Sequence, residues 1–348
     1  MSRARAPGPA GRLKGVLLDG GWTVGDLVER PLGRSRRFSV GYKVRASDGR
    51  DGFLKAFDLA SAFSFESFSS KLGEEMLGAY NFELELLKEC ERLSRVVTAL
   101  ADGRVQVEGS DIPVPYLIFE LADCDVRHFL HTADRFDLAW KLRTLHHAGV
   151  GLTQLHRRDI VHQDLKPSKV LMFGERVSKL GDLGNAVARQ QASPLLIGVS
   201  GDPDYAAPEW LYDFEQSDRS AALQAQDLYR FGSVILFLFR GTDTTTALLT
   251  ELDRAHHPIR GGDTFELALP HLQEAYDRVC EDLGQSGDVP ELLVIMFREL
   301  CQPDPRVRGA SAARGQAHSN PYSLERYISK LDLLAKRAEY GFPGRAAA

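Results

Sequence analysis

The spacing of apolar residues changes at about residue 121, and this change limits the fold more than any other feature of the chain. Before it, 38–46 alternates apolar and polar residues, and 52–58 is a second short apolar-rich segment after the turn-rich sequence SDGRDG, which is typical of two antiparallel strands. After it, apolar residues recur at helical spacing in long stretches such as 221–239. A helical pattern at 59–94 interrupts the strands. The sequence therefore predicts an α+β fold.

These patterns predict two lobes, a small β-rich N-terminal lobe and a larger helical C-terminal lobe, with a cleft between them. The C-terminal lobe is expected to end in a helix over 322–339, with Asn320 as N-cap and Pro321 in the first turn. The first 20 residues, rich in Pro, Gly and Arg, are expected to be mobile. The expected division is a flexible leader at 1–20, the N-lobe at 21–121, the C-lobe at 122–340 and a tail at 341–348.

Composition excludes several classes of function. The chain has 43 Lys and Arg residues against 48 Asp and Glu, a formal net charge of -5, which argues against a general nucleic-acid-binding protein. Its four cysteines lie far apart without a CxxC pair, which is typical of a reducing compartment. No apolar run is longer than the six residues of 234–239, which is too short to span a bilayer, and residues 1–20 do not resemble a signal peptide. We therefore expect a cytoplasmic protein that binds neither nucleic acid nor membrane.

The segment HQDLKP at 162–167 carries the residue types that phosphoryl transfer needs. An acceptor hydroxyl needs a carboxylate that orients it and accepts its proton, and the transferred phosphoryl group needs nearby positive charge. Asp164 and Lys166, in a loop stiffened by Pro167, would supply both. A solvated loop with a chance Asp-x-Lys pair is the alternative interpretation of this motif alone.

A second acidic motif lies in SKLGDLGNA at 178–186, after a strand-like segment. Asp182 stands two residues before Gly184, where a carboxylate can hold Mg²⁺ against phosphate oxygens. Two separate segments thus each offer one carboxylate, Asp164 and Asp182, for chemistry on a magnesium-bound triphosphate.

In order and spacing these motifs resemble those of the eukaryotic-type protein kinase superfamily, and bacterial serine/threonine kinases in particular. HQDLKP and GDLG are similar to the family's HRDLKPxN and DFG, while DYAAPEW and DLYRFG are similar to its APE motif and its D-x-W/Y-x-x-G helix. PDPRVRG at 303–309 is similar to the closing motif, in which Arg308 would form a buried ion pair with Glu209. The resemblance extends from about Trp22 to the last helix.

The resemblance implies an enzyme that transfers the γ-phosphoryl group of Mg-ATP to a serine or threonine of a protein substrate. In such an enzyme one lysine holds the α and β phosphates, a glutamate holds that lysine, a glycine loop covers the phosphates, and two backbone groups bind adenine. The residues at these positions are Lys55, Glu83, Gly33, the carbonyl of Glu120 and the N–H of Ala122.

The resemblance also assigns residues to the transfer itself. Asp164 and Lys166 would be the catalytic pair, and Asp182 would hold the magnesium ion. Asp227 resembles the helix aspartate that accepts hydrogen bonds from backbone N–H groups of the catalytic loop, which is a structural role.

Two departures affect phosphate binding and regulation. Ser35 and Ser39 stand where the phosphate loop is expected to have glycines, whose bare backbone can approach phosphate closely. Gln163 replaces the Arg of HRD, which in the family pairs with a phosphorylated activation loop. Activity is therefore expected not to depend on phosphorylation of that loop.

Two further departures carry charge. Lys169 stands where the family has the Asn that binds a second Mg²⁺, and an ammonium about 5 Å from such an ion would cost roughly 7 kcal/mol at an effective dielectric constant of about 20. Asp202 stands where serine/threonine kinases usually carry Thr, and it could pair with Lys166 or Lys169. We hypothesise that Asp202 and Lys169 are compensating partners.

Two interpretations of Lys169 stay open: its side chain turns away from the phosphates, or it replaces part of the charge of an absent second metal. On either view Lys169→Asn is expected to raise turnover. The resemblance and its departures accordingly predict a protein serine/threonine kinase of reduced activity, or a pseudokinase that acts as a nucleotide-binding or scaffolding protein. An aminoglycoside-type phosphotransferase is a third candidate, but that class generally lacks the APE motif, the helix aspartate and the closing arginine. The sequence predicts neither the substrate nor the oligomeric state.

Overall fold

The computed structural model describes residues 8–28, 39–60, 69–132, 137–188, 201–258, 262–314 and 319–341. These residues form two compact units, the first within 8–123 and 182–185, the second within 124–181, 186–188 and 201–341. The first unit is rich in strands and the second in helices, so the predicted α+β class is confirmed. None of the helices described is long and apolar enough to cross a membrane.

The first unit is built on a six-stranded antiparallel sheet with the order β1-β2-β3-β4-β6-β5. Its strands are β1 (Leu17–Leu18), β2 (Trp22–Leu27), β3 (Ser39–Ala46), β4 (Asp51–Phe57), β5 (Ala99–Val105) and β6 (Val114–Glu120). In β4, Leu54 and Ala56 are fully buried in the core of the sheet. Because successive side chains of a strand point to opposite faces, Lys55 projects from the other face.

Over its described part, the segment expected to be a mobile leader is instead packed against this sheet. Pro9–Arg12 forms a 3-10 helix, and Ala10 and Leu13 are fully buried in the same core as Tyr42. The Tyr42 hydroxyl donates to the Ala10 carbonyl at 2.7 Å and lies 3.3 Å from the Leu13 N–H. The expectation of mobility is corrected for residues 8–20, because a few apolar side chains bury themselves against the sheet despite the surrounding Gly, Pro and Arg.

One long helix, α1 (Ser69–Cys90), completes the first unit. Phe82 and Leu86, which the helical pattern places on its apolar face, are buried. The Tyr80 ring packs edge-on against Phe57 at the end of β4, with ring centroids 5.2 Å apart. The same helix carries a buried charged residue, Glu83. A buried carboxylate is costly unless it is paired, so its partner identifies the functional region of this unit.

The second unit is mainly helical. Its helices are α2 (Val126–Thr132), α3 (Leu138–His156), α4 (Pro208–Leu211), α5 (Arg219–Arg240), α6 (Thr244–Glu251), α7 (Phe265–Gln285), α8 (Glu291–Leu300) and α9 (Glu325–Glu339). Its strands are β7 (Cys124–Asp125), β8 (Ile160–Val161), β9 (Val170–Phe173), β10 (Val177–Leu180) and β11 (Val187–Ala188). They pair as a three-stranded sheet, β10-β9-β7, and a two-stranded sheet, β11-β8.

Helix α5 forms the core of this unit. Asp218 caps its N-terminus by accepting the Ala221 N–H at 3.0 Å, and Gly241 ends it in the left-handed conformation, with φ of 73°. Most of its residues are buried, as expected for a helix that is apolar around most of its circumference. Two charged residues, Asp227 and Arg230, are nevertheless fully buried within it.

The last helix starts later than the sequence pattern predicts. It covers Glu325–Glu339, and its N-cap position is Leu324 rather than Asn320. The Asn320 Oδ1 accepts the Tyr322 N–H at 2.9 Å, so the side chain closes a local turn instead of capping the helix. The prediction of a helix from 322 was wrong for this reason.

Candidate functional site

Two carboxylates of the first unit contact the ammonium of one lysine. We call these three side chains the first-unit cluster: Lys55 of β4, Glu83 of α1, and Asp182. The Lys55 Nζ lies 2.9 Å and 2.7 Å from the two Glu83 carboxylate oxygens and 3.1 Å from Asp182 Oδ1. The Glu83 side chain is buried, whereas those of Lys55 and Asp182 are 18% and 23% exposed. The contact predicted between Lys55 and Glu83 is present, and Asp182 joins it.

The charge of this cluster is suited to binding a cation, either alone or together with the phosphate that the cation accompanies. With all three groups ionised, its two carboxylates and one ammonium carry a net charge of -1. The Asp182 backbone has a φ of 63°, in the left-handed region that non-glycine residues rarely adopt and that is frequent at functional sites. A partly exposed carboxylate held in this way can offer oxygen to a hard cation such as Mg²⁺.

Four charged side chains of the second unit form the second-unit cluster: Asp164, Lys166, Lys169 and Asp202. The Lys169 Nζ lies 3.1 Å from Asp164 Oδ2, and the Lys166 Nζ lies 3.5 Å from Asp164 Oδ1. Lys166 Nζ also lies 2.8 Å from Asp202 Oδ2. Because Asp164 and Lys169 are only 2% and 3% exposed, their charges interact more strongly than they would in bulk water.

A short helical turn explains why both lysines approach the same carboxylate. Residues Pro167–Lys169 form a 3-10 helix, in which the Lys169 N–H donates to the Lys166 carbonyl at 2.8 Å. Lys166 itself is extended, and this hydrogen bond folds the chain back so that Lys169 lies beside it. The rigid Pro167 starts this turn in the sequence DLKPSK.

The structure corrects our hypothesis about the partner of Asp202. Its carboxylate contacts the ammonium of Lys166, whereas Lys169 contacts Asp164. Sequence spacing could not separate the two lysines, because both follow Asp164 within five residues. Lys169 is also not turned toward solvent, since its side chain is 3% exposed.

Asp227 of α5 fixes the backbone of the loop that carries Asp164. Its carboxylate accepts the N–H groups of His162 and Gln163 at 2.7 Å and 2.8 Å, and the His156 Nε2 lies 2.8 Å from it. Burial alone would raise the Asp227 pKa, but the hydrogen bond and charge of His156, with the charges of His162 and Arg230, lower it below its ordinary value. The structural role predicted for Asp227 is therefore confirmed.

Gln163 is directed toward α5. Its side-chain Nε2 donates to the Leu223 carbonyl at 2.9 Å and to Asp227 Oδ1 at 3.2 Å. The residue is fully buried and has a φ of 58°, so its backbone and its side chain are both held at the start of the loop. A side chain directed into the unit in this way is engaged in packing the loop rather than in contact with solvent.

Gly201 allows the segment that carries Asp202 to lie against the loop. Its φ is +88°, and a Cβ atom placed on it would come 2.5 Å from the Gln163 carbonyl oxygen. The adjacent Asp202 N–H donates to Asp164 Oδ1 at 3.1 Å. Only glycine combines this backbone conformation with so close an approach.

The variant Gly201→Ala is expected to lower the free energy of unfolding by about 2 kcal/mol more than Gly241→Ala, because the new methyl group overlaps a backbone oxygen. Gly241 is the matched control, since it has a φ of +73° but no atom within 4 Å of its Cβ position. Urea unfolding of both variants measures the difference. Equal losses of unfolding free energy in the two variants would show that the segment can move to accommodate the methyl group without destabilising the protein.

Arg230 is a buried charged residue near Asp164 that the sequence analysis did not identify as part of the site. It is fully buried, and its Nη2 lies 3.4 Å from the Cβ position of Gly201, which is itself 3.4 Å from Asp164 Oδ1. Burial lowers its pKa, while the carboxylates of Asp227, Asp164 and Glu209 act in the opposite direction. The detectable signal was an arginine between the aromatic residues Tyr229 and Phe231, just before the apolar run 234–239.

The predicted ion pair between Glu209 and Arg308 is present and buried. The two guanidinium Nη atoms lie 2.7 Å from the two carboxylate oxygens, and the side chains are 1% and 0% exposed. Arg308 also donates to the carbonyls of Gln302, Ala225 and Pro303. Burial would lower the Arg308 pKa, but the Glu209 carboxylate more than offsets it and raises the pKa.

The remaining predicted residues concern adenine and the phosphate loop. Glu120 ends β6, where its N–H donates to the Thr98 carbonyl at 3.1 Å and its carboxylate accepts the Thr98 N–H at 2.8 Å. Ala122 follows two residues later and is partly buried. Gly33 lies outside the described residues.

Comparison with known proteins identifies the family. Residues 70–317 match the protein kinase domain, which is more than half of the chain. The chain therefore belongs to the protein kinase family, as its motifs indicated.

Three relatives show the range of similarity. A probable serine/threonine-protein kinase of Dictyostelium discoideum is 23% identical, over 82% of this chain and 53% of its own length. A probable cell division protein kinase of Encephalitozoon cuniculi is 25% identical, over 81% of this chain and 85% of its own length. Receptor-like protein kinase 5 of Arabidopsis thaliana is 32% identical, but over only 34% of this chain and 12% of its own length. The chain thus spans about half or less of the first and third of these proteins.

Proposed function

We propose that this chain is an ATP-dependent protein serine/threonine kinase of reduced activity. The observation that carries the proposal is the contact of Lys55 with both Glu83 and Asp182, because it assembles a phosphate-holding ammonium and a metal-binding carboxylate in one unit. The preference for serine and threonine rests on Lys166 in DLKP, which is similar to the loops of kinases with that specificity. The substrate is a protein, and its identity stays open.

The nucleotide would be held by residues of the first unit. The Glu120 carbonyl and the Ala122 N–H are the proposed adenine contacts, and Lys55 is the proposed contact to the α and β phosphates. Gly33 remains the proposed phosphate-loop residue by resemblance alone. A cytoplasmic location also remains a prediction, based on the spacing of the cysteines.

The residues present fit one magnesium ion rather than two. Mg²⁺ is usually bound by one or two carboxylates together with substrate phosphates, so Asp182 is sufficient as a protein ligand. No group of three or more His, Cys, Asp or Glu side chains suited to a metal is found in the described parts of the chain. Lys169, as an ammonium, cannot ligate a second ion. When bound, the ion would neutralise phosphate charge and orient the phosphates.

In the proposed reaction, Asp164 orients the acceptor hydroxyl and accepts its proton. Its Oδ1 is held by the Asp202 N–H at 3.1 Å, which fixes the carboxylate in one orientation. Lys166 and Lys169 place positive charge beside it, where negative charge would develop on the transferred group. The second lysine would thus do part of the electrostatic work that a second metal ion does in other members of the family.

A pseudokinase is the second candidate, and one observation favours it. Both lysines of the second-unit cluster are engaged with carboxylates of the same cluster, so neither is reserved for phosphate. On this view the chain binds nucleotide, or a partner protein, without transferring phosphate.

The deciding experiment follows label from γ-labelled ATP into protein, with magnesium, for the wild type and for Asp164→Asn. Label on serine and threonine that depends on magnesium and on Asp164 supports the kinase. Equal labelling of the two proteins would reject Asp164 as the catalytic base. A rise in melting temperature with Mg-ATP, without any labelling, would identify the pseudokinase.

Activity is expected to be insensitive to phosphatase, because Gln163 is bound to Leu223 and Asp227 and offers no cation to a phosphorylated loop. The purified protein is treated with a serine/threonine phosphatase, the phosphatase is removed, and the initial rate of ADP formation is compared with a mock treatment. We expect rates within about twofold of each other. A tenfold or greater loss of the initial rate would mean that another cationic side chain binds the phosphorylated loop.

A further inference from the structure

Two departures from the family pattern in the second-unit cluster have opposite charge. Lys169 adds a positive charge where the family has a neutral Asn, and Asp202 adds a negative charge where it usually has a neutral Thr. Without them the cluster would hold one carboxylate and one ammonium, Asp164 and Lys166. With them it holds two of each, so the formal net charge is zero in both cases.

The four groups form a chain of alternating charge. From one end to the other, Lys169 Nζ is 3.1 Å from Asp164 Oδ2, Asp164 Oδ1 is 3.5 Å from Lys166 Nζ, and Lys166 Nζ is 2.8 Å from Asp202 Oδ2. The distances alternate as well, since the two outer contacts are shorter than the central one. Each added charge therefore contacts one member of the original pair more closely than the two members contact each other.

Burial makes the two additions depend on each other. The exposed fractions of the side chains are 3% for Lys169, 2% for Asp164, 11% for Lys166 and 31% for Asp202. A charge that loses its partner in such surroundings keeps its desolvation cost without compensation. With Asn at position 169, Asp164 and Asp202 would share one lysine, whereas with Thr at position 202 two ammonium groups would share Asp164.

We propose that Asp202 and Lys169 are an indirectly coupled pair, in which Asp202 positions Lys166 and Lys169 positions Asp164. Asp202 holds the Lys166 ammonium 2.8 Å from its own carboxylate, and Asp164 lies closer to Lys169 and to the Asp202 N–H, at 3.1 Å each, than to Lys166. The electrostatic coupling is a property of the fold, while the positioning role rests on the proposed kinase function.

This coupling replaces the expectation that Lys169→Asn alone raises turnover. The single change removes the closest ammonium from Asp164 and leaves two carboxylates for Lys166. Phosphate would then approach a cluster with a net charge of -1 instead of zero. Turnover is expected to fall for Lys169→Asn and to recover when Asp202 is removed as well.

The test is a double-mutant cycle of Lys169→Asn, Asp202→Thr and the double variant, measured in the full chain. Each single variant is expected to lower the melting temperature by about 4 °C, and the double variant to lie within about 3 °C of the wild type. Asp204→Thr is the matched control. Asp204 lies two residues after Asp202 and its side chain is exposed, so the change removes the same charge outside the cluster. Shifts that add in the double variant would overturn the coupling.

Kinetics test the positioning role separately. Each single variant is expected to lower kcat for ADP formation about tenfold with KM for ATP changed less than threefold, and the double variant to return within about threefold of the wild-type kcat. Asp204→Thr should leave kcat unchanged. Equal losses of kcat in the double variant and the worse single variant would overturn positioning. If the wild type forms no more ADP than Asp164→Asn, the kinase function and the positioning role both fail, and the melting cycle still decides the coupling.

Discussion

Asp164→Asn is expected to lower the rate of phosphoryl transfer by about 10²–10⁴-fold, because an amide cannot accept the proton of the acceptor hydroxyl. The amide oxygen can still accept the Asp202 N–H that holds Oδ1 in the wild type, so the loop keeps part of its geometry. The change should therefore act mainly on the chemical step. Single-turnover transfer from saturating Mg-ATP measures that step without the contribution of product release.

Two controls separate lost chemistry from lost structure in this variant. Asp204→Asn makes the same chemical change at an exposed position of the segment that carries Asp202, and we expect it to retain wild-type transfer. Asp164→Asn removes one of the two carboxylates of the second-unit cluster, so rates are compared well below both melting temperatures. Mg-ATP should raise the melting temperature of Asp164→Asn as it does for the wild type. Retention of more than one tenth of the wild-type rate would contradict a catalytic base at this position.

Arg308→Met is expected to cost about 3–5 kcal/mol of unfolding free energy, the largest stability effect that we predict. It would leave Glu209, 1% exposed, as a buried carboxylate without its bidentate partner, and would also remove hydrogen bonds to Ala225 and to the Gln302 and Pro303 carbonyls. Three separate segments of the second unit lose their common contact. Urea unfolding monitored by tryptophan fluorescence measures the loss.

The double variant Glu209→Gln, Arg308→Met is the control for this prediction. Because the buried charge is removed together with its partner, we expect the double variant to be more stable than Arg308→Met alone by about 1–2 kcal/mol. A double variant that is less stable than the single one would mean that Glu209 is stabilised by groups other than Arg308.

The order of the motifs was sufficient to predict contacts in which each partner is one residue of a recognisable family motif. Lys55 with Glu83, Glu209 with Arg308, and Asp227 with the backbone of the loop were all predicted and are all present. Each of these contacts joins residues far apart in the chain, so spacing alone would not have revealed them. The resemblance provided what spacing could not.

The partner of Asp202 depended on finer detail. Lys166 and Lys169 are three residues apart, and the 3-10 turn that follows Lys166 decides which ammonium lies nearer to each carboxylate. Side-chain directions in such a turn are set by backbone geometry that the sequence pattern does not specify. Arg230 was missed for a related reason, since a buried arginine breaks the rule that charged residues in an apolar helix lie on its exposed face.

The buried segment before β1 has a consequence for how the chain can be divided. A protein started at Trp22, where the motif resemblance begins, would lack Ala10 and Leu13 and would leave the Tyr42 hydroxyl without its acceptor. Its sheet would expose an apolar surface to water, and such surfaces promote aggregation during expression. The folded unit of this chain therefore begins before Trp22, earlier than the part that its motifs identify.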